Sequence, residues 1–409
     1  MSSYFKSFSI ILLIVLFFLL SFYFYGYDAT WQLWNIHTMS PPFADVRTIT
    51  HGAESYAQGF DPLYNNPEDP WQRKLAYPRI WQGLFSLGLN SSHSIAMGIT
   101  WLSTFLIGVV LFLKNADNKT LFYVFLLVLS PATLLAVERG TLDLLMFFIL
   151  KLAILAIQRS YLLSAVFIFT GYILKLFPIF AWILFIKGER TKFIISTLGA
   201  FVLVGLYIAF NYDDFKFIWS YVPRSTDISF GRNVFWMAVA QSNETIAFVA
   251  KMFSLVVIAI AFGLAYLDPF KSKTKTMIGN KNNEQLYQDA FRVGATLYIY
   301  IFLLFGNSWD YRLIFLIFTV PQLLKWSGGV ESTETRLIKN ISKLALMTII
   351  LSFWYLIIVK LFSFIPYGKK IAFIWDEINN WLVFITLLYL LFWSLPVKIK
   401  ALIGKRSYT

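Results

Sequence analysis

The chain has 409 residues, of which 58% are hydrophobic, 19% aromatic and only 14% charged, with a mean hydropathy of +0.64. A soluble domain carries about a quarter charged residues, and no interior of this size hides so much apolar surface. Soluble, disordered and fibrous classes are therefore excluded, and the composition is that of an integral membrane protein. The absence of cysteine rules out disulfides, iron–sulfur clusters and thiol chemistry. Three histidines, His37, His51 and His93, make a histidine-rich metal centre improbable.

A membrane helix needs roughly 20 apolar residues. In chain order the candidate spans are Phe8–Tyr25, Ser94–Leu113, Thr120–Val137, Leu142–Ile157, Phe193–Phe210, Ile246–Leu267, Phe291–Phe305, Tyr311–Leu324, Leu344–Leu361 and Asn380–Leu395. The first reads as a retained anchor: its apolar run is long for a signal peptide, no small-residue cleavage site follows, and Tyr23, Tyr25 and Tyr27 suit an interfacial belt. The stretch Tyr161–Ile186 carries Lys175 and Pro178 in its second half. Read as two short helices that enter and return around Lys175, it puts the loops after Leu113, Ile157, Ile186, Leu267 and Leu324, with both termini, on the cytoplasmic side. Counting each charge near a span end with its adjoining segment, and leaving Lys151 within its span, those segments hold 20 Lys/Arg against 7 Asp/Glu, whereas the external ones hold 14 against 15; this is the positive-inside distribution. The net charge of +13 follows from topology and implies no nucleic acid. Each half would be about 20 Å long at 1.5 Å per residue, shorter than the roughly 30 Å hydrocarbon layer, so Lys175 is expected in a recessed, outward-facing pocket. Sequence alone thus predicts an all-α polytopic protein, a single membrane domain over 1–409 with about twelve membrane helices, N-in and C-in. A polar cytoplasmic loop is expected from Lys271 to Asn283.

The one long soluble piece is the external loop, residues 26–92. Within it Asp45 to Gln58 reads as an amphipathic helix ended by Gly59, with Ile49, Ala53 and Tyr56 on one face. Asp45 sits at the first turn, where the helix dipole and free amides favour a carboxylate; on periodicity alone its role is that of a helix-terminal carboxylate. The loop continues with Gly59-Phe-Asp61-Pro62-Leu-Tyr64 and Leu75-Ala-Tyr77-Pro78-Arg79.

Together with Glu138-Arg139-Gly140-Thr141-Leu142-Asp143, Leu174-Lys175-Leu176-Phe177-Pro178 and Asn307-Ser-Trp309-Asp310-Tyr311-Arg312-Leu313, this ordered set resembles the family 87 polyprenyl-phosphate-dependent glycosyltransferases of the GT-C superfamily. The likeness spans most of the chain. It departs from the family at the single proline of Tyr77-Pro78-Arg79 and at Thr141-Leu142-Asp143. It implies a GT-C-like fold in the plasma (inner) membrane and transfer of a sugar from a polyprenyl-phosphate donor to a hydroxyl of a glycan or glycolipid acceptor on the non-cytoplasmic face. Consistent with that chemistry, the chain has no Gly-rich phosphate fingerprint and no Walker motif.

Such a reaction needs a base for the acceptor hydroxyl, cations for the leaving phosphate and a groove for the lipid. The resemblance singles out Asp45 as the base, with Asp61 and Asp69 as alternatives; Asp61 precedes Pro62 and also reads as a turn residue. For the phosphate, Lys175 is the sharpest candidate because a recessed cation is costly without a function or partner. Arg139 opens an external helix N-terminus suited to an anion, or pairs with Glu138 or Asp143. Arg232 and Arg312 are further candidates, while Lys151 is expected to snorkel. Asp61, Tyr64, Tyr77, Asp143 and Asp310 complete the expected substrate contacts. His51 is six residues from Asp45, not a same-face spacing. No cofactor is expected, and no metal, since no compact ligand set such as Asp-x-Asp occurs. The competing reading is a polytopic transporter or flippase of a lipid-linked sugar. Only one Pro-broken helix pair is evident, without a counterpart in the other half.

Overall fold

The computed structural model describes residues 3–188, 190–271, 282–328 and 333–396. Most of the polar loop expected between Lys271 and Asn283 lies outside the described residues, as does Glu189 of the basic turn. In chain order the helices are α1 (Ser3–Tyr25), α2 (Tyr27–Gln32), α3 (Ala44–Ala57), α4 (Ser94–Phe112), α5 (Asn118–Val128), α6 (Pro131–Arg139), α7 (Leu142–Ala156), α8 (Tyr161–Leu174) and α9 (Arg190–Phe210). They continue with α10 (Tyr212–Tyr221), α11 (Val234–Ala240), α12 (Glu244–Lys271), α13 (Asn282–Tyr300), α14 (Val320–Ser327), α15 (Thr333–Phe353), α16 (Tyr355–Phe362) and α17 (Gly368–Trp393). Among the described residues, strand pairing is limited to β1 (Ser229–Phe230) against β2 (Ser308–Trp309), antiparallel, with Ser229 opposite Trp309.

The protein is an all-α membrane protein. Among the described residues, five helices are long and apolar enough to cross a bilayer: Tyr4–Tyr25, Ser91–Phe112, Phe193–Phe210, Glu244–Leu267 and Gly368–Trp393. Two more crossings arise if α5 with α6, bent by 54°, and Arg336–Phe353 with α16, bent by 64°, each count as one. Leu12, Leu13, Leu16 and Leu19 of α1, and Phe201, Val202 and Leu203 of α9, stand exposed. Such faces are stable against hydrocarbon, not against water. Several expected spans differ in form. Leu142–Ile157 is the 15-residue α7. Phe291–Phe305 ends in a π turn over Ile301–Phe305, and Tyr311–Leu324 is a 3-10 segment over Asp310–Thr319 followed by α14. The last span begins at Gly368 rather than near Asn380, because burial of Asp376 and Glu377 lets the helix run through two acids that interrupt its hydropathy.

The chain sorts into two compact units. The first comprises 1–114, 134–182 and 191–223. Here α7 packs between α4 and α8, and α3 lies against α4 and the 3-10 segment Arg79–Leu87. The expected break at Lys175 is present. α8 stops at Leu174, Lys175 is extended (φ −159°, ψ 120°), and a 3-10 segment runs from Phe177 to Lys187. Pro178 lacks the amide that would continue the helix. The rings of Phe169 and Trp182, thirteen residues apart, meet at 5.5 Å, whereas a continuous helix would separate them by about 20 Å. The two arms therefore turn toward one another.

The second unit comprises 115–133, 183–190 and 224–409. α17 is its centre, packed by α12, α13, α15 and α16, and α13 also packs on the Asp310–Thr319 segment. Fully buried Phe291, Phe302, Phe315, Phe318 and Phe384 fill this core.

Candidate functional site

In the first unit the site is assembled around the start of α3. The helix spans Ala44–Ala57, one residue from expectation, and buries Val46, Ile49, Thr50 and Ala53. Tyr56, expected on that face, is exposed, with its ring tilted against Phe85 at a centroid distance of 5.6 Å. Phe43 precedes the helix in the left-handed region (φ 63°) and drives its ring into a seat formed by two glycines. A Cβ on Gly98 of α4 would lie 2.5 Å from that ring. A Cβ on Gly140, in the turn between α6 and α7, would lie 3.0 Å from the Phe43 Cβ, and Gly140 itself has φ +61°. These two absent side chains let the first turn of α3, with Asp45, dock beside Arg139 and Asp143. Gly98→Val is expected to force the Phe43 ring out and cost about 1–3 kcal/mol, as overpacking does; thermal unfolding of the purified variant measures it.

Asp45 is 20% exposed, and its Oδ1 accepts a hydrogen bond from Arg73 Nη1 at 3.3 Å. Burial pushes its carboxyl above the ordinary carboxylate value; Arg73 opposes this most, then Lys175 and Arg139, while Asp143 adds to it. Arg139 and Asp143 of one segment and Lys175 of another, both far from Asp45 in the chain, thus lie within electrostatic reach of it. Lys175 Nζ donates to Asp143 Oδ2 at 2.6 Å, with the Asp143 side chain fully buried, and the rings of Tyr77 and Phe177 stand 5.8 and 5.7 Å from the ammonium. The break is anchored by Trp81, whose indole N–H donates to Leu174 O at 3.1 Å. Arg139 pairs with Glu138 and donates to His37 O at 3.0 Å, and Glu138 also accepts the Met39 amide at 2.8 Å. Thr141 opens α7 with its buried hydroxyl lacking a hydrogen-bond partner among the described residues. A helix N-terminus with a spare hydroxyl and flanking cations is chemically suited to an anion.

No family profile, curated protein or solved structure matches the chain. The site is therefore read from its own geometry.

Other expected residues fall elsewhere. Asp61 is held in a turn, accepting from Leu63 N at 3.0 Å, and is bridged by Arg79 at 2.9 Å, which also reaches Asp214 at 2.9 Å. Those hydrogen bonds, that of Asp214 foremost, hold the Arg79 guanidinium above its ordinary pKa. Tyr64 belongs to this second cluster, its ring 4.6 Å from Phe217 and 6.0 Å from the Arg79 guanidinium. Asp69 is buried and committed to its own loop. His51 contacts Arg47 and Glu54 within α3. Lys151 does not snorkel: it is fully buried, its ammonium 5.2 Å from the Phe112 ring. Among the described residues no group of three or more His, Cys, Asp or Glu is arranged to hold a metal.

Arg232, Asp310 and Arg312 belong to the second unit, where the β1–β2 ladder gathers them. Asp310 N donates to Ile228 O at 3.1 Å, Arg232 N to Phe302 O at 3.1 Å, and Arg312 Nη1 to Ser308 Oγ at 2.6 Å. Asp310 is buried with Asp376 and Glu377 close enough for mutual repulsion. Sequence reading missed these last two, together with Arg73, Arg79 and Asp214. One signal was available for the acids: Asp376 and Asn380 are four apart, on one helical face, and bond at 2.9 Å.

Proposed function

We propose that the chain is a membrane glycosyltransferase that moves a sugar from a polyprenyl-phosphate donor to a hydroxyl acceptor on the non-cytoplasmic face, with inversion. The observation that carries this reading is the meeting of Asp45, a partly exposed carboxylate outside the spans, with Lys175 and Arg139 at the N-terminus of the apolar helix α7. In this reaction the acceptor oxygen attacks the anomeric carbon opposite the phosphate. The C–O bond to phosphate breaks with its electron pair leaving on the phosphate oxygen, and the acceptor proton passes to Asp45. The lipid phosphate is already a good leaving group, and positive charge beside it offsets the charge it gains. Each cation of the site already holds a carboxylate: Lys175 holds Asp143, Arg139 holds Glu138 and Arg73 holds Asp45. The phosphate therefore binds by exchange, displacing a carboxylate rather than filling an empty cationic hole. The proposed topology is that expected from the charge distribution, with the short arms flanking Lys175 entering and returning from the cytoplasmic side and the 26–92 loop external.

A second reading, a transporter of lipid-linked sugar, is favoured by one observation in the second unit. Asp310, Asp376 and Glu377 are buried with no Lys or Arg in ion-pair reach among the described residues. Intramembrane carboxylates of this kind accompany proton-coupled movement. Purified protein incubated with polyprenyl-phosphate sugars and soluble glycan acceptors separates the two. A new glycoside, absent without protein, is the expected result. Movement of the lipid-linked sugar across vesicles with no glycoside formed would replace the first reading by the second.

A further inference from the structure

The segment between α3 and the Arg79–Leu87 turn contains two buried polar residues that hold Arg73: Asn66 ties the Arg73 backbone to α3, and Asp69 binds the guanidinium. Asn66 is buried; its amide donates to Thr48 O at 3.3 Å and Arg73 O at 3.0 Å, and its carbonyl accepts from Ser55 Oγ at 2.7 Å. Asp69 has a fully buried side chain. Its Oδ1 accepts from the amides of Trp71 and Arg73, both at 3.0 Å, and from Arg73 Nε at 3.3 Å, while Oδ2 accepts from Arg73 Nη2 at 3.1 Å. The guanidinium lies 4.7 Å from the Trp71 ring centre and also donates to Ala44 O. Fixed in this way, it presents Nη1 to Asp45 Oδ1. Asp45 Oδ2 takes no hydrogen bond from the described residues.

An arginine needs no such cradle to neutralise Asp69 alone; a fork held from three sides is a device for aiming its remaining donor. We propose that Arg73 is the positioning residue of the site, holding Asp45 through one carboxylate oxygen so that the other is left to take the acceptor proton. This rests on the reading of Asp45 as base. The charged groups facing Asp45 are Arg73 from this segment, Arg139 and Asp143 from the turn between α6 and α7, and Lys175 from the break after α8; Asp69 acts on it through Arg73. Arg73 is the strongest of the influences that keep the carboxylate ionised. Asp69 competes with Asp45 for the same guanidinium. Removing Arg73 and removing the charge of Asp69 therefore move Asp45 in opposite directions, and Arg73→Lys, which keeps the charge but not the fork, separates aiming from charge alone.

The test titrates Asp45 without substrate. Folded, detergent-purified protein is treated with a water-soluble carbodiimide and an amine across a pH series, and labelling of the Asp45 peptide, which follows its protonated fraction, is read by mass spectrometry. Arg73→Gln is expected to raise the labelling midpoint by about one to two pH units. Asp69→Asn, which keeps the loop's hydrogen-bond acceptor, is expected to lower it, and Arg73→Lys to restore most of the parental midpoint while turnover stays low for want of the fork. If Arg73→Gln does not fold, Asp69→Asn and Arg73→Lys still decide. Unchanged midpoints in the folded variants would overturn the positioning role. Parental turnover in Asp45→Asn would overturn the base itself, whatever the midpoints show.

Discussion

Asp45→Asn is expected to lower sugar-transfer turnover by roughly 10²–10⁴-fold, the usual contribution of a general base, with the fold and donor binding retained. Asparagine keeps the size of the side chain and an oxygen that can accept from Arg73 Nη1, so the 3.3 Å contact and the seat of Phe43 survive. What is lost is the ability to take a proton. The pH profile carries the same information. Burial raises the Asp45 carboxyl above its ordinary value, and Arg73, Lys175 and Arg139 restrain that rise. Because the proposed base works only when ionised, the acid limb of kcat/KM is expected above the ordinary carboxylate range near pH 4, with activity falling as pH drops through it. Near-parental turnover of Asp45→Asn in a steady-state assay would return the residue to its role as a helix-terminal carboxylate. Asp61 is a poor substitute, since both its oxygens are already engaged by Leu63, Arg79 and Gln82.

Lys175→Met is expected to do two things at once. From sequence alone the substitution would weaken donor binding and leave the folded yield similar. The structure changes the second expectation, because Lys175 is the 2.6 Å partner of Asp143, whose side chain is fully buried. Removing one member of a buried ion pair leaves an uncompensated charge and costs about 3–5 kcal/mol. The two effects separate in the double variant Lys175→Met with Asp143→Asn. Neutralising both partners removes the stranded charge, so thermal stability should recover toward the parent. Binding of polyprenyl phosphate should not recover, because the cation proposed to receive it is gone; a lost charge-assisted contact corresponds to roughly 10- to 100-fold in affinity. Parental lipid-phosphate affinity in the stable double variant would discard the phosphate role of Lys175 and leave the pair as a structural element of the α7–α8 packing.

Local features were legible because they are written in contiguous residues. Runs of apolar side chains marked α1, α4, α9 and α12 as crossings. Lys175 and Pro178 marked the break, because a proline cannot donate the amide that a helix needs, and Asp45 ahead of an amphipathic period marked the start of α3. The spans that are not single straight helices, α5 with α6 and α15 with α16, carry the right apolar length but bend by 54° and 64°, which hydropathy does not encode. The partners of the charged groups were decided by tertiary structure. Arg73 reaches Asp45 across 28 positions, Lys175 reaches Asp143 across 32 and Arg79 reaches Asp214 across 135. No local pattern links such pairs; the approach of α3 to its neighbours, for one, rests on Gly98 and Gly140, which leave room for the Phe43 ring. Likewise Asp376 and Glu377 fall before the expected span Asn380–Leu395, yet they are buried in the second unit, where α17 begins eight residues before Asp376 and is enclosed by its neighbours. Sequence thus determined the membrane class, the break at Lys175 and the start of α3. Packing determined which charged groups meet, since a side chain's charge is local but its electrostatic partner is whatever the fold brings within a few ångströms.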